Sequence, residues 1–74
     1  MEGFKKYLHN RYEELMGKYI DEKDKIEKIK IIARMKEGKR TLNRFNGKSF
    51  KSKDVEKEVA EDVREYKKIF KRIT

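Results

Sequence analysis

The chain contains no cysteine, no proline and no tryptophan. The absence of cysteine excludes several kinds of site, and the absence of proline excludes one cause of helix breaks. Without cysteine there is no disulfide, no thiolate metal site and no cysteine nucleophile. Without proline, no residue breaks a long helix from within. The single histidine, His9, offers too few ligands for a typical zinc site. We therefore expect no metal and no cofactor, and we expect His9 at the surface.

Long apolar runs are also missing. No stretch approaches the roughly 18 apolar residues of a membrane-spanning helix, and the first residues lack the apolar core of a signal peptide. The chain has 74 residues, of which 35% are hydrophobic and 49% are charged. A chain of this size has a marginal core. These properties predict one helical domain over residues 1–74, in the cytoplasm and without membrane contact.

Apolar residues recur at helical spacing in the first and last segments. The first pattern predicts a helix over residues 3–19, with Gly17 fraying its last turn; its apolar residues are Phe4, Leu8, Tyr12, Leu15, Met16 and Tyr19. The last pattern predicts a helix over 52–73 that Ser52 caps. Acids at its start and cations at its end suit the helix dipole; its apolar residues are Val55, Val59, Val63, Tyr66, Phe70 and Ile73.

The middle segment allows three interpretations. Acids near its start (Asp21, Glu22 and Asp24) predict a helix from about residue 22, with an apolar stripe formed by Ile26, Ile29, Ile32, Ala33 and Met35. The helix either stops at 37, with Gly38 as its cap, or continues to 46 and stops at Asn46-Gly47. In the third interpretation, Asn46-Gly47 is a hairpin turn between two short arms. The favoured fold is an all-α three-helix bundle.

Most of the net charge of +8 lies in residues 34–53. This basic window has one acid, Glu37, and a net charge of +7; its cations are Arg34, Lys36, Lys39, Arg40, Arg44, Lys48, Lys51 and Lys53. The first 33 residues carry a net charge of +1 and the last 21 carry none. Such a concentrated charge indicates an anionic partner. We expect the window to be a basic connecting segment between near-neutral helices.

Nucleic acid is the partner that this window favours, because lysine and arginine neutralise phosphates and release counterions. Asn43 and Asn46 are the candidates for reading bases, and Thr41 and Ser49 add hydrogen-bonding groups. Gly38 and Gly47 would allow close approach to a phosphate. DNA is slightly preferred over RNA, because a helical scaffold suits the major groove.

The alternative is a protein-binding module or inhibitor that docks its basic patch on an acidic or nucleic-acid-binding surface of a larger protein. A small, charge-rich chain is typical of phage, plasmid and archaeal elements, which suits either function. An enzyme is not expected, since no nucleophile, base and orienting group come together in the sequence.

Several weaker patterns have a structural interpretation beside the functional one. Residues 29–46 have the outline of a helix-turn-helix with Asn43 and Arg44 facing outward, although the spacing around Gly38 is unusual. Phe45 and Phe50 could stack on bases, but core packing is favoured. The acids Glu13, Glu14, Asp21, Glu22 and Asp24 are interleaved with lysines and predict a solvated face. A homodimer seam through Val55, Val59, Val63, Tyr66 and Phe70 is an alternative to packing within the bundle.

Overall fold

The computed structural model describes the backbone of residues 2–73 and the side chains of residues 3–69. Within these residues there are three helices and no strand: α1 (Glu2–Asp21), α2 (Lys25–Phe45) and α3 (Ser52–Ile73). The prediction of an all-α three-helix bundle is confirmed. None of the helices in the described part of the chain combines the length and the apolar character that crossing a bilayer requires.

The core lies where all three helices meet. Its buried side chains are Tyr12, Leu15 and Met16 of α1, Ile31, Met35 and Leu42 of α2, and Val55, Val59 and Val63 of α3. Met35 is 0% exposed and lies at the centre of α2. Each helix therefore buries one face, and the opposite faces carry the charges that make up about half of the sequence.

The first helical boundary lies further along the chain than predicted. α1 continues through Gly17 to Asp21, so Asp21 ends the first helix and does not start the second. Asp24 is the N-cap of α2, and its carboxylate accepts a hydrogen bond of 2.8 Å from the backbone N–H of Ile26. This bond satisfies one of the free donors of the first turn.

α2 continues through Gly38, which decides between the three interpretations of the middle segment. Gly38 lies inside the helix, and the chain turns at Asn46-Gly47, where Gly47 has a φ of +70°. The second interpretation is confirmed, with the helix ending at Phe45. The helix-turn-helix and the hairpin are both wrong, because Glu37-Gly38-Lys39 forms no turn and no strands flank Gly47.

The buried face of α2 differs from the predicted stripe. Ile31, Met35 and Leu42 are buried, whereas Ile26 and Ile29 are 65% and 66% exposed. Ile26 and Ile29 have the helical spacing of a core face, but they lie on the side of α2 that neither α1 nor α3 covers. Periodicity alone did not decide between two apolar faces that overlap along one helix.

The three valines of α3 pack inside the bundle. Val55, Val59 and Val63 are 1%, 1% and 8% exposed and belong to the core. The favoured interpretation, packing within the bundle, is confirmed at these three positions, and the alternative homodimer seam is wrong there, because α1 and α2 already cover the side chains. Tyr66 is partly buried against the same core, and the side chain of Phe70 lies outside the described residues.

Candidate nucleic-acid interface

The basic window is not a connecting segment as predicted. Residues 34–45 belong to α2, residues 46–51 form the loop between α2 and α3, and residues 52–53 begin α3. Its cations therefore lie around a helix and along a loop, and they do not all share one surface. Five of them lie together at one end of the bundle, and three lie elsewhere.

Two arginines of α2 contact the loop and the start of α3. The Arg40 guanidinium donates a hydrogen bond of 3.1 Å to the hydroxyl of Ser52. The Arg44 guanidinium lies 4.9 Å from the centre of the Phe50 ring, a cation–π contact. Both side chains are thus held at the end of the bundle where α2 stops and α3 begins.

The loop adds three lysines to these arginines. Lys48 and Lys51 are in the loop, Lys53 is in the first turn of α3, and all three are exposed. Among the described residues, none of these three ammonium groups has an ion-pair partner. We call this set the basic end; it consists of Arg40, Arg44, Lys48, Lys51 and Lys53.

The other three cations of the window are separate from the basic end or neutralised. Lys39 pairs with Asp62 at 2.9 Å and lies over the Tyr12 ring, and its side chain is only 21% exposed. Lys36 pairs with Glu56 of α3 at 3.6 Å. Arg34 is exposed beside α1, where it lines a groove with Leu8 and Arg11. Lys36 and Lys39 therefore join α2 to α3.

Asn43 is a structural residue. It is 2% exposed, and its amide nitrogen donates to the backbone oxygen of Ser49 at 2.9 Å and to the Glu58 carboxylate at 2.7 Å. The prediction that Asn43 faces outward is wrong, because no base edge could reach its amide. Instead the amide ties α2, the loop and α3 together.

The smaller polar groups of the window mostly have internal partners. The Thr41 hydroxyl donates to the backbone oxygen of Glu37 one turn earlier, at 3.1 Å. The Ser49 hydroxyl donates to Asp54, and Ser52 is the first residue of α3 rather than its cap. Asn46 is exposed at the C-cap of α2, so it keeps an accessible amide.

Phe45 and Phe50 are exposed, so the expected core packing of both is wrong. Phe45 is 41% exposed and Phe50 is 48% exposed. Phe45 is the last residue of α2 and meets Phe4 of α1 edge to face, with ring centres 5.5 Å apart. Among the described residues, the one ring or cation contact of Phe50 is with Arg44.

The start of α1 belongs to the same end, and sequence reasoning missed it. Phe4 and Tyr7 are 48% and 60% exposed, and the exposed Lys5 and Lys6 lie between them. The antiparallel packing of α1 on α2 brings these residues near the basic window, as the contact of Phe4 with Phe45 shows. Counting charge along the chain assigned Lys5 and Lys6 to a nearly neutral segment. Only the helical hairpin reveals that they adjoin the window.

The remaining titratable groups have ordinary surface roles or stabilise the bundle. His9 is exposed as predicted and pairs with Glu13 at 3.1 Å. The Tyr12 hydroxyl donates to Asp62 at 2.7 Å, and its burial, the hydrogen bond to Asp62 and the negative charges nearby raise the pKa of Tyr12. No group of three or more metal-ligating side chains occurs in the described part of the chain.

Comparison with protein-family models, with curated proteins and with solved structures finds no match for this chain.

Proposed function

We propose that this protein binds nucleic acid through its basic end. The observation that carries the proposal is the clustering of five cations that have no acidic partner among the described residues, while Lys36 and Lys39 of the same window are paired to acids of α3. An unpaired cluster keeps its positive potential, and phosphates are the regularly spaced anions that fit it.

The ion pairs of Lys36 and Lys39 distinguish the cations that stabilise the bundle from those that remain available for binding. A solubility coat would distribute its cations over the surface, whereas here Lys36 and Lys39 stabilise the bundle, five cations lie at one end, and Arg34 alone of the window is exposed elsewhere. Two acids close to the basic end are hydrogen-bonded within the fold. The Asp54 carboxylate accepts the Ser49 hydroxyl, and the Glu58 carboxylate accepts the Asn43 amide. Binding there would leave the buried core undisturbed.

Salt dependence tests the proposal. If each of the five cations meets one phosphate, log affinity for a duplex falls with log salt at a slope of about −4.5, and for a single strand at about −3.5. Fluorescence anisotropy with a labelled oligonucleotide measures the affinity at salt concentrations from about 50 to about 200 mM. Over such a range, log affinity falls linearly with log salt concentration. A slope near zero would contradict phosphate binding.

A pair of variants with equal net charge shows whether the basic end carries the binding. Arg40→Glu with Arg44→Glu should abolish most binding. Lys23→Glu with Lys25→Glu, at the opposite end of the bundle, should preserve it, since both lysines are exposed and unpaired within the described residues. Both variants should keep the helical circular dichroism of the parent. Equal losses in the two variants would mean that net charge alone drives binding.

The alternative partner is an acidic protein surface, which the same cations would suit. Tagged protein captured from lysate before and after nuclease treatment separates the two. Nucleic acid that is lost on treatment, with no protein left in stoichiometric amount, supports the proposal. A stoichiometric protein that survives nuclease supports the alternative.

A further inference from the structure

We infer that the nucleic acid bound at the basic end is single-stranded, and that Phe50 stacks on one of its bases. This inference rests on the proposed function and deepens it. Its starting point is that three phenylalanines, Phe4, Phe45 and Phe50, are 41–48% exposed at the end of the bundle where the unpaired cations lie.

A surface that combines exposed aromatic rings with cations is suited to binding a single strand of nucleic acid. Its phosphates meet lysine and arginine, and each base offers a flat face on which an aromatic ring can stack. In a duplex those faces are covered by neighbouring base pairs, so exposed phenylalanines would have nothing to stack on. The charge complementarity of the cations fixes the occupant as a polyanion, and the rings select the unpaired form.

The structure also removes the features that would suit a duplex. α2 is continuous, so residues 29–46 do not form a turn followed by a separate recognition helix that could enter the major groove. Asn43, the best candidate for reading a base edge, is 2% exposed and hydrogen-bonded to Ser49 and Glu58. Direct readout of a base pair therefore has little support, whereas stacking needs no hydrogen-bonding pattern.

Among the three rings, Phe50 is the best placed to stack. Phe4 and Phe45 contact each other edge to face, which gives them a part in joining α1 to α2. Phe50 lies in the loop, outside the core, and its cation–π partner is Arg44. The Arg44 guanidinium can hold the ring in place and also reach a phosphate of the same nucleotide. Phe45, at the end of α2, is the second candidate.

The test compares three labelled 12-mers: oligo(dT), an abasic strand with the same number of phosphates but no bases, and a matched duplex with twice that number. The parent protein should bind oligo(dT) about tenfold more tightly than either of the others, a factor within the range of one stacked base. An oligo(U) arm should give a similar affinity to oligo(dT), because stacking does not depend on the sugar.

Two variants assign the effect to the ring. Phe50→Leu keeps an apolar side chain without a flat face, and it should lose about tenfold in affinity for oligo(dT) with no loss for the abasic strand. Phe50→Tyr keeps the ring and should bind like the parent. Because Phe50 is exposed in a loop, both variants should keep the parent's thermal melting curve.

The outcomes separate this inference from the proposed function. Salt-dependent binding that is no tighter for oligo(dT) than for the abasic strand and the duplex, and unchanged in Phe50→Leu, would overturn the inference and leave the proposed function standing. Binding of none of the three would overturn both. Loss of binding to every 12-mer in Phe50→Leu, with the fold intact, would make Phe50 a support for the Arg44 side chain and would also overturn stacking.

Discussion

At the scale of single residues, Asn43 shows how a polar side chain can be mistaken for a binding group. Its amide bridges the loop and α3 from inside the bundle, and removing it leaves the Ser49 carbonyl and the Glu58 carboxylate without this donor. A buried group that loses its partner costs its desolvation free energy. Asn43 therefore stabilises the fold, whereas Asn46, three residues later, is exposed at the surface.

Asn43→Ala should lower the free energy of unfolding by about 2 kcal/mol, because two hydrogen bonds to partly buried groups are lost. Asn46→Ala should change it by less than about 0.5 kcal/mol, as is usual at exposed positions. Urea unfolding followed by circular dichroism measures both. If Asn43→Ala impaired oligonucleotide binding at unchanged stability, Asn43 would be a contact residue after all.

Tyr12 gives the molecule a specific response to high pH. Burial, the hydrogen bond to Asp62 and the nearby carboxylates raise the pKa of Tyr12 above its ordinary value near 10. Since the folded pKa lies above the unfolded one, the stabilisation is present below pH 10 and is lost progressively above it.

Tyr12→Phe should lower the free energy of unfolding by about 1 kcal/mol at pH 7, the usual net value of one hydrogen bond. Between pH 7 and pH 11 the parent should lose more stability than the variant, because only the parent has this buried hydroxyl. All other tyrosines and all lysines are present in both proteins. Urea unfolding at the two pH values checks the difference, and parallel losses would contradict the role of Tyr12.

At the scale of the helices, the two glycines of the middle segment have opposite roles. Gly38 is inside α2, and an added Cβ would lie 4.0 Å from Cδ1 of Tyr12, which is an ordinary contact. Gly47 has a φ of +70° at the turn, a conformation that other residues adopt only at a cost. From the sequence, either glycine could have ended the helix. In the structure, only Gly47 lies at the end of α2.

Gly38→Ala should raise the free energy of unfolding by about 0.5–1 kcal/mol, since alanine favours the helix and restricts the unfolded chain. Gly47→Ala should lower it by about 1 kcal/mol, because of the left-handed backbone. Thermal or urea unfolding of the two variants beside the parent gives both signs. A destabilising Gly38→Ala would mean that α2 is interrupted there.

The helices could be predicted only as well as their sequence patterns agreed on one apolar face and one pair of ends. α3 has a single apolar face with matching charge gradients, and its bounds of 52–73 are those observed. α2 has isoleucines on two sides, so its length was left open and its buried face was assigned to Ile26 and Ile29 in place of Ile31. Which side is buried depends on where α1 packs, and that information is not local to α2.

At the scale of the whole molecule, the candidate site was predicted in part. The window of residues 34–53 contains all five cations of the basic end. The sequence could not show that Lys36 and Lys39 pair with Glu56 and Asp62, because these acids lie 20 and 23 residues further along the chain, beyond the loop between α2 and α3. It also could not show that Phe4, Lys5 and Lys6 adjoin the site, since this follows from the packing of α1 on α2.

The polar contacts of α3 also determine where that helix lies along the other two. Val55, Val59 and Val63 repeat every four residues, so sliding α3 by about 6 Å would still replace two of the three valines with valine, while Lys51 or Lys67 would take the third position. The contacts of Asp62 with Tyr12 and Lys39, and of Glu58 with Asn43, would all break in that shifted register. Three polar contacts thus add to the valines in holding α3 in one register along the other two helices.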